Sequence, residues 1–152
     1  MPRELRCRTF EDMRAELHRL SQGPVETTGN WSYYQILTHL TKGVEGSMKG
    51  VKRDMPWWKK HLLGPALYRL FIFRGYIPRG IKGPPSDRIE GNEAEALAAF
   101  RKALDDFEKH EGPWSEHLIL GPLNKAQWAS FHPLHFANHV SHVRKTEEAL
   151  RD

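Results

Sequence analysis

Four of the nine histidines lie within eleven residues near the C-terminus: His132, His135, His139 and His142. Their spacings of three, four and three place all four on one side of an α-helix. His135 and His139, one turn apart, can direct two imidazoles at a single ion, as the histidines of an H-x-x-x-H zinc helix do. His39, in an upstream helical stretch, is a candidate third ligand. Three imidazoles that leave coordination positions open indicate a reactive metal site rather than a structural one.

The alternative is that these histidines are ordinary polar residues on a partly exposed helix. The apolar residues between them, Phe131, Leu134, Phe136 and Val140, weaken that interpretation. Crowded imidazoles without a metal lower one another's pKa and leave buried donors to satisfy. A bound metal ion removes both costs, so the spacing favours a metal site.

Pro133 interrupts the histidine row. Within a helix it removes one backbone hydrogen bond and clashes with the carbonyl four residues earlier. We therefore expect either a kink at Pro133 or a separate turn over residues 124–131, with the main helix beginning at the proline. His135, His139 and His142 lie beyond this break, whereas His132 lies at the irregularity.

Four stretches show helical spacing of apolar residues: about Thr9–Leu20, about Asn30–Gly50 with Asn30 as the N-cap, Asn92 to about His110, and a last helix through the histidine row to about Leu150. No segment alternates with period two. We therefore predict an all-α protein, a four-helix bundle whose metal sites lie between facing helices. Residues 1–152 form one domain in this interpretation.

A long connection over residues 51–91 separates the second and third helices. His61–Phe73 is predicted to be a helix broken near Gly64-Pro65, and the Gly- and Pro-rich stretch Arg74–Gly91 is predicted to be irregular. A connection of this length usually packs over a site or has a function of its own. For Leu62–Phe73 the alternatives are a role at a membrane surface and a role as a cover for the bundle, of which the second is favoured.

Composition narrows the cellular setting. The single Cys7 excludes an intramolecular disulfide framework and favours a reducing, cytoplasmic location. The N-terminus lacks the apolar stretch of a signal peptide. No run approaches the roughly 20 apolar residues of a membrane span.

Positive charge is concentrated in residues 49–88, which hold ten Lys or Arg against Asp54 and Asp87, a balance of +8. Such asymmetry can attract a carboxylate-bearing small molecule, a phosphate, nucleic acid or a lipid surface. The alternative is a solvated basic face. No nucleic-acid motif accompanies the charge, and the aromatics are not interleaved as in a single-strand stacking platform, so no nucleic-acid partner is expected.

Two motifs carry a family resemblance. Trp31-Ser32-Tyr33-Tyr34-Gln35-Ile36-Leu37-Thr38-His39-Leu40, followed by Glu45, Ser47-Met48 and Gly50, resembles the second-helix motif of the DUF1569 family. Trp128-x-x-Phe131-His132-x-x-His135-x-x-x-His139 resembles the last-helix motif. The match covers residues 27–50 and 124–144. The family is grouped with the DinB/YfiT-like superfamily of metal-binding four-helix bundles.

The resemblance implies that His39, His135 and His139 are the metal ligands. The chain departs from the family pattern at two positions: Asn138 stands where a second adjacent histidine is common, and His142 stands where glutamine is common. These two positions, with Gln35 and His132, are predicted to surround the ligands or line a substrate pocket.

Two of these roles have open alternatives. Gln35 either orients a ligand or substrate or caps the bundle interior. His142 either shuttles protons, given an ordinary pKa near 6.5, or is a surface histidine.

Three neutral imidazoles suit Zn²⁺, Ni²⁺, Fe²⁺ or Co²⁺. The resemblance implies a metal-dependent thiol transferase that uses a low-molecular-weight thiol, such as bacillithiol or mycothiol, as cosubstrate and a small molecule as the electrophile. The alternatives are a metal-dependent hydrolase and a non-catalytic bundle with a vestigial metal site. The catalytic residues are not predicted. A homodimer is a further expectation for such bundles.

Overall fold

Helices make up most of the regular structure in the computed structural model, which describes residues 1–78 and 90–149. They are α1 (Phe10–Leu20), α2 (Tyr33–Ser47), α3 (Gly64–Arg74), α4 (Glu93–Lys109), α5 (Lys125–Val140) and α6 (Thr146–Ala149), with a π-helical turn at Lys59–Leu63 directly before α3. The prediction of a mainly helical protein is confirmed for the described residues.

Each of the helices α1, α2, α4 and α5 begins at a side chain that caps its first turn. The caps are Thr9, Ser32, Asn92 and Asn124, and each accepts a hydrogen bond from the backbone N–H three residues later. These bonds satisfy donors that have no partner within the helix. The prediction that Asn30 caps the second helix is wrong, because Ser32 occupies that position.

Helices α1, α2, α4 and α5 share one buried apolar core. Helix α2 contacts α4 and α5, and α1 contacts the same two helices. The largest side chains in this core that are almost fully buried are Phe100, Phe107, Phe136, Met13, Leu17, Leu20, Leu37 and Leu104. This arrangement is compatible with a bundle-like fold. Its consequence for the histidines is that α2 and α5 face each other across the core.

Two short antiparallel sheets were not expected from the sequence. Strand β1 (Val25–Thr27) pairs with β4 (Val143–Lys145), and β2 (Glu116–His117) pairs with β3 (Gly121–Pro122). Strands of two or three residues are too short to show alternation.

The prediction that the last helix continues to Leu150 is wrong, because α5 ends at Val140 and the chain then enters β4.

The connection after α2 stays helical where a break was predicted. Pro65 has no N–H to donate to the carbonyl four residues earlier, and the preceding residues adopt a wider π-helical turn instead of ending the helix. Most of the predicted irregular stretch falls on residues 79–89, which lie outside the described residues. No helix in the described ranges is both long and apolar enough to cross a membrane.

Candidate metal centre

The structure brings three predicted ligands together from two helices. His39 lies on α2, and His135 and His139 lie one turn apart on α5. The Nε2 atom of His135 is 3.1 Å from Nε2 of His39 and 3.1 Å from Nε2 of His139. One ligand atom from each of the three lies within 4.8 Å of the others, so the cluster could hold a metal ion. The packing of α2 against α5 produces this convergence.

Hydrogen bonding alone does not satisfy this cluster. An imidazole nitrogen offers either one proton or one lone pair, so Nε2 of His135 cannot make good hydrogen bonds to both neighbours at once. Nitrogens bound at about 2.0–2.1 Å to a tetrahedral Zn²⁺ lie about 3.3–3.4 Å apart, close to the spacing of these histidines. The donor set therefore fits a bound metal ion.

Burial keeps the three imidazoles neutral near pH 7. Burial lowers the pKa of His135 well below 6.5, and the neighbouring His139 and His39 add to the effect. The pKa of His139 falls to about 4, mainly through burial and secondarily through His39. The pKa of His39 is lowered by burial and by the positive charge of Lys42. Neutral imidazoles have the free lone pairs that metal binding requires.

Trp31 forms one wall of the cluster. Its indole is stacked on His139 with ring centroids 5.3 Å apart, and it meets the edge of His39 at 5.0 Å. The side chain is only half-buried. Its place directly before the Ser32 cap is the one sequence signal for this role, since the cap fixes where the preceding residue lies.

Gly43, one turn after His39 on α2, is a second residue that sequence analysis missed. A Cβ built on Gly43 would lie 3.6 Å from Cε1 of His135. That is an ordinary van der Waals distance, so the imidazole of His135 lies beside α2 at this position and an alanine would also fit there. A small residue one turn from a candidate ligand was the available signal.

Helix α5 continues through Pro133, which excludes one of the two predicted alternatives, a separate turn before the proline. The capped start at Asn124 and the burial of Trp128, Phe131, Leu134 and Phe136 on this helix offset the lost hydrogen bond, whose cost is about 3 kcal/mol. His132, Pro133 and His135 therefore belong to one helix.

His132 lies apart from the three-histidine cluster. Its Nε2 is 3.1 Å from Oγ of Ser47, and both side chains are buried. Since the Ser47 hydroxyl donates to the carbonyl of Val44, the His132 N–H donates to Ser47. Burial lowers the pKa of His132 to about 3, with a smaller effect from His117. This bond joins α5 to α2 one turn from the candidate ligand His135.

The other predicted pocket residues occupy varied positions. Gln35 accepts a hydrogen bond from the Ser32 N–H through Oε1, and so helps to cap α2. Asn138 is half-buried on α5. His142 lies beyond the end of α5, with Nδ1 3.5 Å from Oγ1 of Thr28, so it is not one helical turn past His139. His142 also lowers the pKa of His139, by less than burial and His39 do.

The fold and the site define a mostly helical protein with three histidines that could hold a metal ion. The chain belongs to the DUF1569 family, described as a protein of unknown function, which matches residues 1–146. No curated protein and no solved structure matched the chain.

Proposed function

We propose that the chain is a metal-dependent enzyme, a thiol transferase that directs a low-molecular-weight thiol at a small electrophile. The observation that carries the proposal is the approach of His39 and His139 to the same Nε2 atom of His135. Residues 1–152 are taken as one domain. The four long helices are taken as a four-helix bundle of the DinB/YfiT-like type, supported by the contacts of α1 and α2 with α4 and α5.

The three imidazoles would hold Zn²⁺, Ni²⁺, Fe²⁺ or Co²⁺ and leave the remaining coordination positions free. When bound, such an ion supplies Lewis acidity that lowers the pKa of a thiol or of water at neutral pH. All three histidines are neutral ligands, so the ion keeps its full positive charge, which favours a thiolate. Cys7 is buried, and burial raises the pKa of its thiol to about 12, so the reacting thiol is assigned to a cosubstrate.

The protein's own residues shape the space beside the ion. Trp31 stacks on the face of His139 and meets His39 edge-on, and so shields that side of the site from water. Asn138 lies in the last turn of α5, and His142 lies two residues after the helix ends. These two residues are the candidates for contacts with the substrate. Gln35 supports the site indirectly, because its capping bond fixes the start of the helix that carries His39.

Addition of 2-mercaptoethanol to the Co²⁺-substituted protein tests the thiol step. A thiolate-to-cobalt absorption band is expected, and His39→Ala is expected to abolish it. His18→Ala removes an exposed histidine from α1 and serves as the matched control. Cobalt binding without a thiolate band would contradict the transferase and favour metal-dependent hydrolysis of a small molecule. Absence of metal binding would favour a non-catalytic bundle.

A further inference from the structure

An exposed apolar surface lies on the helical connection after α2, away from any role in the proposed function. It comprises the Lys59–Leu63 turn, the two residues before it and the outer side of α3. Its apolar side chains are Trp57, Trp58, Leu62, Leu63, Leu70 and Phe73. Phe73 is 86% exposed, Trp57 67% and Leu62 59%. We name this set the Trp–Phe surface.

The Trp–Phe surface is one face of a helix whose other face is already packed. Phe71 is buried, and Leu67 and Ile72 pack against the core. Leu62 and Phe73 are eleven residues apart, close to three helical turns, and so project on the same outward side. Both faces of this helix are therefore apolar, although only one has a partner within the described residues. Exposed apolar patches of this kind mark interaction sites.

Close backbone contacts hold the surface in place. A Cβ on Gly64 would lie 2.4 Å from the carbonyl oxygen of Leu120, so α3 packs directly against the β2–β3 turn. Lys60 adds an ion pair, with Nζ 2.8 Å from Oε1 of the buried Glu116. Burial by itself raises the pKa of Glu116. The hydrogen bonds from Lys60 and the Arg53 N–H together outweigh burial and lower this pKa below its ordinary value, so the carboxylate stays charged. These contacts fix the position of the helical segment that carries the exposed apolar side chains.

Basic side chains surround the apolar ones. Lys59, Arg69 and Arg74 are exposed on the same helical segment, and Nζ of Lys59 lies 5.4 Å from the centre of the Trp58 ring. Residues 49–74 contain seven Lys or Arg and one acidic residue, Asp54, a balance of +6. A second copy of the chain would bring two such charges together, which disfavours a homodimer through this face. The leucines of the surface, Leu62, Leu63 and Leu70, offer a nucleic acid neither an aromatic ring to stack on nor a hydrogen-bonding group, which favours lipid over nucleic acid.

We infer that the Trp–Phe surface docks on an anionic lipid membrane. Tryptophan is favoured at the boundary between lipid and water, and leucine and phenylalanine enter the outer acyl region. Nearby lysine and arginine are attracted to anionic headgroups. A helix that lies in the interface in this way does not have to cross the membrane. Docking would place the chain beside membrane-derived small molecules.

Sedimentation of the full chain with vesicles tests this inference. The chain is expected to bind vesicles of phosphatidylcholine with phosphatidylserine, and to bind phosphatidylcholine alone at least about ten-fold more weakly, since several basic residues contribute. Binding is expected to weaken as salt rises, because the attraction is screened.

Two variants separate the apolar and charged contributions. Leu62→Glu with Phe73→Glu is expected to abolish binding, whereas Ala98→Glu with Ala99→Glu, on the exposed side of α4, adds the same charges and is expected to retain most of it. Lys59→Gln with Arg69→Gln is expected to weaken binding about five-fold per residue. Arg101→Gln with Lys109→Gln, also on α4, is its charge-matched control. All four altered positions on the docking segment are exposed, so folding is expected to survive, and circular dichroism checks this.

Three results would overturn the inference. The first is a lack of binding to either kind of vesicle. The second is equal loss of binding in the Trp–Phe surface variants and their α4 controls. The third is a homodimer, measured by light scattering, that Leu62→Glu with Phe73→Glu converts to a monomer. That result would assign the surface to a second copy of the chain.

Discussion

Trp31 should report metal binding directly, because its ring centroid lies 5.0 Å from that of His39 and 5.3 Å from that of His139, two of the three candidate ligands. Ni²⁺ bound at the cluster would quench the fluorescence of a tryptophan this close. We expect Trp31→Phe to remove most of the quenching that Ni²⁺ causes in the unaltered chain. Trp58→Phe, which alters an exposed indole on another segment, should leave it intact. Equal quenching in Trp31→Phe would place the metal elsewhere.

His117 should make the fold sensitive to acid. Its Nδ1 accepts hydrogen bonds from the N–H groups of Ile119 and Leu120, both at 3.0 Å. Burial, with a smaller effect from Arg53, lowers its pKa from 6.5 to about 4. Protonation would put a hydrogen on Nδ1 and break both bonds. The folded state therefore disfavours the charged form, and the stabilisation present above about pH 6.5 is lost as the pH falls towards about 4.

The variant His117→Asn tests this titration, because an asparagine Oδ1 can accept the same two N–H groups without being protonated. Chemical unfolding of both proteins across that pH range should show a smaller loss of free energy in the variant, by up to about 3 kcal/mol. His18→Asn, at an exposed position on α1, should keep the full pH dependence. An unchanged slope in His117→Asn would contradict this role of the buried imidazole.

At the level of residues, the sequence predicts contacts between residues of the same helix, but not contacts between segments that are far apart in sequence. The pairing of His135 with His139 follows from one helical turn, and His39 was identified by its helix and its motif. The contact of His132 with Ser47 joins residues 85 positions apart, so it depends on how α5 packs on α2. The stacking of Trp31 on His139 likewise depends on a loop that no periodic pattern describes.

At the level of elements, the close approach of Gly64 to Leu120 should control stability. A Cβ at Gly64 would lie 2.4 Å from the Leu120 carbonyl oxygen, so Gly64→Ala should force a backbone shift and destabilise the fold by about 1–3 kcal/mol. Gly46 on α2 has open space at the same test. Gly46→Ala should instead stabilise the fold by about 0.5–1 kcal/mol through helix propensity. Thermal unfolding of both variants measures the difference, and a loss of similar size in both would contradict it.

Element boundaries show where sequence patterns stop being informative. The helix starts near Thr9 and Asn92 were predicted closely from the spacing of apolar residues, and the structure shows a capping side chain at each. The two prolines do not mark helix ends. Helix α5 continues through Pro133, and at Pro65 the chain changes from a π-helical turn to an α-helix. The four strands form through pairs distant in sequence or through very short turns, and none is long enough to show a pattern.

At the level of the whole molecule, the candidate ligands come from helices that are far apart in sequence, so metal binding and folding should be coupled. An ion that binds only the folded state stabilises it by about 2.7 kcal/mol at a free concentration of 100 times Kd. The same coupling explains why the sequence indicates the ligands but not their geometry, which exists only after α2 has packed on α5.

Titration of the purified, metal-free chain with Co²⁺ tests the central claim most directly. We expect visible absorption bands of bound Co²⁺ that saturate at one ion per chain. These bands should be lost in His39→Ala, His135→Ala and His139→Ala. The controls His18→Ala and His132→Asn should keep them. Thermal unfolding of each variant checks that it is folded. Failure to bind Co²⁺, or binding that survives in folded His39→Ala, would contradict a metal centre made by these three histidines.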